Sequence, residues 1–246
     1  LVFDDTITSI GDEAFRSCYN LASISIPNSV LSIGDKTFAF CTSLTKITIP
    51  QGVTSMGDEV FWGCTSLASI DIPNGVTSIG NATFNHCSKL RSITIPNSVT
   101  RIGSNAFEDC NSLTSVIWNA ENCTDFTLTN YSYPPFYDIR LQITEFVLGD
   151  EVQRIPAYLC YSMNKLTSIT IPEGITSIGE GTFWNCSSLS YVHIPDSVTS
   201  IGGFAFSGCS SLARIDIPDG VTSIEYRTFY GCSSLEEMDI PESAVS

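Results

Sequence analysis

Apolar positions in this chain return on a fixed beat. Val30, Ile33, Phe38, Cys41, Leu44, Ile47 and Ile49 are separated by polar or small residues. The set recurs 23 residues later as Val53, Met56, Phe61, Cys64, Leu67, Ile70 and Ile72, and then again from Val76. The unit reads I-P-x-[SG]-V-x-S-I-G-x-x-x-F-x-x-C-x-x-L-x-x-I-x-I-P, and after Pro172 it resumes with Phe183, Phe206 and Phe229. Ten units follow from this spacing: 5–27, 28–50, 51–73, 74–96, 97–119, an irregular 120–149, then 150–172, 173–195, 196–218 and 219–241.

Within a unit the period changes. Leu44-Thr45-Lys46-Ile47-Thr48-Ile49 alternates, which predicts a strand with Ile47 and Ile49 facing inward. Pro closes most of these strands, because it has no N–H to give a ladder. Val53-Thr54-Ser55-Met56 predicts a second short strand, and the glycine after it supplies a turn. The stretch Asp12-Glu13-Ala14-Phe15 is long enough for one helical turn and no more. A 23-residue unit cannot bury its own apolar set, so the units are expected to stack, each covering the next. The expectation is one repeat domain over 1–246, which sets aside the two-domain reading that length alone allows.

Composition narrows the function classes. The chain has 246 residues, 43% of them hydrophobic and 15% charged, so a core is affordable and disorder is not expected. Eleven Lys and Arg stand against 26 Asp and Glu, a formal charge of −15, which opposes nucleic-acid backbones and anionic lipid. No apolar run is long enough for a membrane helix. The chain begins without Met, basic n-region or apolar h-region. Leu1 and Phe3 fall on the Ile slots of a preceding strand, and Pro241-Glu242-Ser243-Ala244 begins an eleventh unit. The sequence therefore reads as a truncated piece of a longer array.

Ten cysteines suggest disulfides or metal until their spacing is read. Cys18, Cys41, Cys64, Cys87 and Cys110 are 23 apart, as are Cys186, Cys209 and Cys232. Stacked equivalents keep their Cβ atoms about 4.8 Å apart, beyond the roughly 3.5–4.5 Å of a bridge, and no C-x₂-C pair offers a zinc site. The ladder reads as small buried core residues. Cys160 takes the Phe slot of its unit and Met163 its Cys slot, while Cys123 has no assigned slot.

The unit resembles the BspA-type leucine-rich repeat of surface and secreted Bacteroidetes proteins, and the resemblance runs over nearly the whole chain. It implies a right-handed leucine-rich-repeat solenoid of short parallel strands, in an extracellular or surface-attached protein used for binding. The pattern departs from the commonest leucine-rich unit: no Asn follows the strand, and Ser29, Gly52, Gly75 and Ser98 stand there instead.

Catalysis has little to stand on. His86 and His193 lie on different slots more than four units apart, and serines recur by repeat rather than by site. No cofactor or metal is implied. Acidic pairs such as Asp12-Glu13 and Asp58-Glu59 match no calcium loop and read as a solvated face.

Binding candidates are the positions that vary between units. Outward strand slots run Ser25, Thr48, Asp71, Thr94, Ile117, Val147, Thr170, His193, Asp216, Asp239. The neighbouring row is Ser23, Lys46, Ser69, Ser92, Ser115, Glu145, Ser168, Tyr191, Arg214, Glu237. Tyr191, His193, Arg214 and Asp216 gather on adjacent strands with the composition of interaction hot spots. A second row follows the core Phe: Phe40, Trp62, Tyr161, Trp184 and Tyr230. Two readings stand for it, exposed π surface for glycan or protein, and packing over neighbouring units. The irregular unit, with Phe126, Tyr131, Tyr133, Pro134, Pro135, Phe136 and Tyr137, reads as a binding loop or as a plug between two half-solenoids. The functional expectation is a non-catalytic module for a host or microbial surface protein. The alternatives are a glycan-binding module and a passive spacer.

Overall fold

The computed structural model describes residues 4–129 and 133–244; Leu1, Phe3 and Tyr131 lie outside them. The chain winds as a parallel β-solenoid of about ten turns. Two ladders of short strands, numbered in chain order, carry it. One comprises β1 (Ser9–Ile10), β2 (Ser32–Ile33), β3 (Ser55–Met56), β4 (Ser78–Ile79), β6 (Arg101–Ile102), β9 (Arg154–Ile155), β11 (Ser177–Ile178) and β13 (Ser200–Ile201). The other comprises β5 (Ser92–Ile95), β7 (Ser115–Trp118), β8 (Glu145–Leu148), β10 (Ser168–Thr170), β12 (Tyr191–His193), β14 (Arg214–Asp216) and β15 (Glu237–Asp239), preceded by single bridges from Ser25 to Thr48 and Thr48 to Asp71.

The repeat sets the register. Ser9 faces Ser32 and Ser32 faces Ser55, all in parallel. The irregular unit is absorbed without a slip, since β7 pairs with β8 as Ser115 with Glu145 and Val116 with Phe146. A one-residue error there would turn every apolar side chain outward, so the extra seven residues must be spent elsewhere in the unit.

The expected one-turn helices are absent: the described residues contain no helix. The backbone of the D-E-A-F stretch turns instead, and its hydrogen bonds show why. Glu13, Phe15 and Ser17 donate their N–H groups to the carbonyls of Asp35, Thr37 and Ala39 in the next unit, at 2.7, 2.8 and 2.7 Å. Arg16 and Cys18 bond back within the unit, to Glu13 and Phe15. A helix would claim every N–H for its own carbonyls. Alternation of the two kinds of bond is achieved by left-handed residues, Glu13 at φ 56° and Ser17 at φ 61°. This turn segment is therefore a third hydrogen-bonded track along the stack.

The core is one cluster of ladders. Phe15, Phe38, Phe61, Phe84, Phe107 and Phe136 stack ring on ring at 5.0–5.7 Å between successive centroids. Cys160 stands at the next step, and the stack resumes through Phe183, Phe206 and Phe229. Phe136 is thus the core ring of the irregular unit, buried beside Pro134 and Pro135. Phe126 packs edge-on against Trp118. All ten cysteines are unbridged; Cys18 is exposed, Cys232 half-buried and the other eight buried. The thiols are donors as well as fillers. Cys64 Sγ donates to the Phe38 carbonyl at 3.2 Å, Cys87 to Phe61 and Cys209 to Phe183 in the same way. Cys123 is buried too, and its carbonyl accepts from Arg154 Nη1.

The acidic slot after the glycine has a structural duty beyond solvation. Asp12 Oδ1 accepts the Asp35 N–H, Asp35 Oδ1 accepts that of Asp58, and Asp58 Oδ1 accepts that of Asn81, each at 2.8 Å. Asn81 Oδ1 continues to Ser104, and in the irregular unit Asp125 Oδ1 takes the same part for Ala157. The neighbouring units are tied through this slot.

Candidate binding surface

Alternation places the two outward rows on the β5–β15 ladder as ridges. Tyr191 is the Cα partner of Arg214, Thr170 of His193, and Asp216 of Asp239. Tyr191 is 58% exposed, and the side chains of His193, Arg214 and Asp216 all face solvent. Arg214 is caged. Its guanidinium reaches Asp216 at 3.1 Å, Glu237 at 3.4 Å and Asp239 at 3.7 Å. The hydrogen bond that Arg214 donates to Asp216, with the charges of Asp216, Glu237 and Asp239 around it, holds the Arg214 pKa above its ordinary value. An arginine so surrounded offers little to an anion. His193 Nε2 lies 4.0 Å from Glu173. A hollow of about 200 Å³ is lined by His193, Asp196, Asp216 and Asp219.

Toward the middle of the ladder the same face turns apolar. Ile117 and Val147 are Cα partners on β7 and β8 and are 39% and 41% exposed. Beside them the ladder is interrupted: among the described residues no strand pairing joins β8 to β10. A cavity of about 380 Å³ occupies this seam, between Glu145–Leu148 and Ser168–Thr170. The sequence shows Ile117 and Val147 as departures from a hydroxylated row. The seam itself has no sequence signal, since the 23-residue spacing from Glu145 to Ser168 is unbroken.

The aromatic row lies on the turn track and is two separate pieces. Phe40 occupies a left-handed position, φ 61°, one residue beyond the slot of Trp62, and its ring leans on Trp62 at 4.7 Å. The second piece is longer than the sequence suggests. Tyr133 stacks on Tyr137, Tyr137 on Tyr161, Tyr161 meets Trp184 edge-on, Trp184 stacks on Phe204, and Phe204 meets Tyr226. Arg227 bridges the Tyr226 and Tyr230 rings at 5.0 Å each. Phe204 and Tyr226 come from different repeat slots, so a search along one slot misses them. Tyr226 and Tyr230 are 66% and 65% exposed, while Phe40, Trp62, Tyr161 and Trp184 are half-buried by one another.

His86 is far from this face and is engaged by Asn85 and Asp109. Among the described residues no three His, Cys, Asp or Glu side chains gather as a metal-binding group, and no helix is long and apolar enough to cross a membrane.

Stacked 23-residue turns, two parallel ladders and core rows of Ile, Val, Leu, Phe and Cys define a leucine-rich-repeat solenoid. The BspA type leucine-rich repeat region matches residues 8–133 and 129–246 in six copies, and the chain belongs to that family. A leucine-rich repeat protein of Bacteroides ovatus is 31% identical over 98% of this chain and 66% of its own, with a TM-score of 0.65. One from Eubacterium ventriosum is 32% identical over 94% of this chain and 63% of its own, with a TM-score of 0.45. A leucine rich cell surface protein of Faecalibacterium prausnitzii is 27% identical over 95% of this chain and 83% of its own, with a TM-score of 0.38. The chain spans about two thirds of the length of the first two. No curated protein matches it.

Proposed function

We propose that this chain is a non-catalytic binding module, working outside the cell or on its surface, that presents the outward β5–β15 rows to a protein partner. The observation that carries the reading is the contrast between slots. Core slots hold Phe, Cys and Leu in most units, while the outward slots change from Ser and Thr to Tyr191, His193, Arg214 and Asp216 on neighbouring strands. A scaffold of this kind contributes position, and the side chains mounted on it contribute recognition. Exposed tyrosine beside charged side chains is a composition that anchors interfaces.

A glycan-binding reading is favoured separately by the aromatic track, whose exposed Tyr226 and Tyr230 rings flank Arg227. A screen against extracellular-matrix proteins and a glycan panel separates the readings. The native chain is compared with a Tyr191→Ala, His193→Ala double variant and with a Tyr226→Ala, Tyr230→Ala double variant, each first shown to unfold at the native temperature. A saturable protein hit, weakened about tenfold or more by the first pair alone, is expected. Loss only in the second pair assigns the function to the aromatic track. No hit at all leaves the repeats as a spacer and overturns the binding reading.

A further inference from the structure

The sheet face that carries the outward rows combines two features that select a partner. Ile117 and Val147 form an exposed apolar pair at the edge of the seam between β8 and β10, where a cavity of about 380 Å³ opens. Two strands further on lies the hollow of about 200 Å³ lined by His193, Asp196, Asp216 and Asp219. The one arginine on the adjoining strand is already held by Asp216, Glu237 and Asp239. The face therefore meets an approaching partner with an exposed apolar pair beside a notch and an excess of carboxylate. Groups of opposite charge steer such an encounter, and like charge is rejected.

We infer that this face docks an extended, basic–apolar segment of a partner protein, with an apolar side chain in the β8–β10 seam and a Lys or Arg in the acidic hollow. The inference rests on the outward rows being the binding surface, and it adds the chemistry of the occupant. Strands in a sheet lie about 4.8 Å apart, so the two paired steps from β10, which bounds the seam, to β14, which bounds the hollow, span about 10 Å. A polyproline helix rises about 3.1 Å per residue and returns to the same side every third residue. An apolar and a basic residue three positions apart on such a segment reach both places at once. The segment crosses the strands rather than extending the ladder.

The test uses a fluorescent hexapeptide, Pro-Leu-Pro-Pro-Arg-Pro, beside one with Glu for Arg and one with Ser for Leu, titrated with the whole chain. The parent peptide is expected to bind saturably, and more weakly as salt rises from about 50 to about 300 mM, because screening shortens the reach of the carboxylates. Both altered peptides are expected to lose about tenfold or more. Val147→Lys is expected to abolish binding, and Asp196→Asn with Asp219→Asn to weaken it. Arg214→Ala is expected to tighten it about threefold, since it releases three carboxylates without touching the peptide. Equal binding of the three peptides, or weakening by Arg214→Ala, overturns the inference. So does binding indifferent to Val147→Lys. A matrix-protein hit lost in the Tyr191, His193 double variant while the peptides fail overturns the occupant alone and leaves the binding module standing.

Discussion

A cysteine in the ladder fills a small apolar slot, closes a hydrogen bond to the preceding unit and keeps its proton. Burial, by stripping water from the thiolate, pushes the Cys41 thiol from 9.0 up to about 11 and those of Cys110 and Cys123 up to about 12. Cys64, Cys87, Cys160, Cys186 and Cys209 are raised for the same reason. The unfolded chain, with thiols near 9.0, binds fewer protons than the folded one once the pH exceeds that value. Stability from this source is therefore whole below about pH 9 and is lost as pH rises toward the folded values, by up to about 1.4 kcal/mol per pH unit for each retained proton. Urea unfolding at about pH 8 and about pH 10 should show a clearly lower midpoint at the higher pH. Cys87→Ala should soften that fall, and an unchanged midpoint would discard the account. Native thiols should react with a maleimide at exposed Cys18 well before the buried ones. The burial of these residues is readable from their spacing alone. Their donor role is not, because it depends on a carbonyl 26 positions back that only the stacked backbone brings within 3.2 Å.

At the scale of the element, strands were easier to foresee than turns. Inward apolar residues at every second position identify β5, β7 and β8 directly (Ile93 and Ile95, Val116 and Trp118, Phe146 and Leu148), and Pro96 sets the end of the first of them. The turn track misleads because its short D-E-A-F stretch has a helix former's composition, while its partners lie in another unit. Left-handed positions are occupied by Glu13, Lys36, Glu59 and even Phe204, which carry no warning, and by glycine only at Gly63, Gly181, Gly208 and Gly231. Three of these glycines have a second reason to be bare, Gly208 against Asn185 and two against rings. A Cβ on Gly63 would stand 2.7 Å from the Phe40 ring, and one on Gly181 would stand 2.6 Å from the Tyr158 ring. Gly63→Ala is expected to cost about 2–3 kcal/mol, roughly 1 of it from the left-handed backbone and the rest from the displaced ring. Adding Phe40→Ala should return the ring's share, so the double variant should be less destabilised than the sum of the singles by about 1 kcal/mol. Additive losses in denaturant unfolding would show that the ring does not dictate the glycine. The same local logic explains why the aromatic track was only partly foreseen: Phe204 substitutes for the missing ring at Ser207 from a different slot.

In the whole molecule, stability is a sum over neighbours, and the register of ten units is legible because each repeats the last. Among the described residues strand pairing also lapses between β3 and β4 and between β6 and β9, but at one junction two departures coincide. At Cys160 the ring stack is interrupted, and beside it β8 and β10 run without pairing. On the other ladder Arg154 and the Ala157 N–H donate to Asp125 across the same junction, and Arg154 donates also to the Cys123 carbonyl. Pulled by its two ends in an optical trap, the solenoid should part at this joint. A first rupture should free the shorter segment around Phe183, Phe206 and Phe229, and a second, at higher force, the six-ring segment from Phe15 to Phe136. A single rupture for the whole length would mean that the joint bears load like any other. Cys160→Phe, restoring the ring, should raise the first force toward the second. A protein tethered at one end and gripped at the other would then yield in stages, lengthening under tension before it lets go.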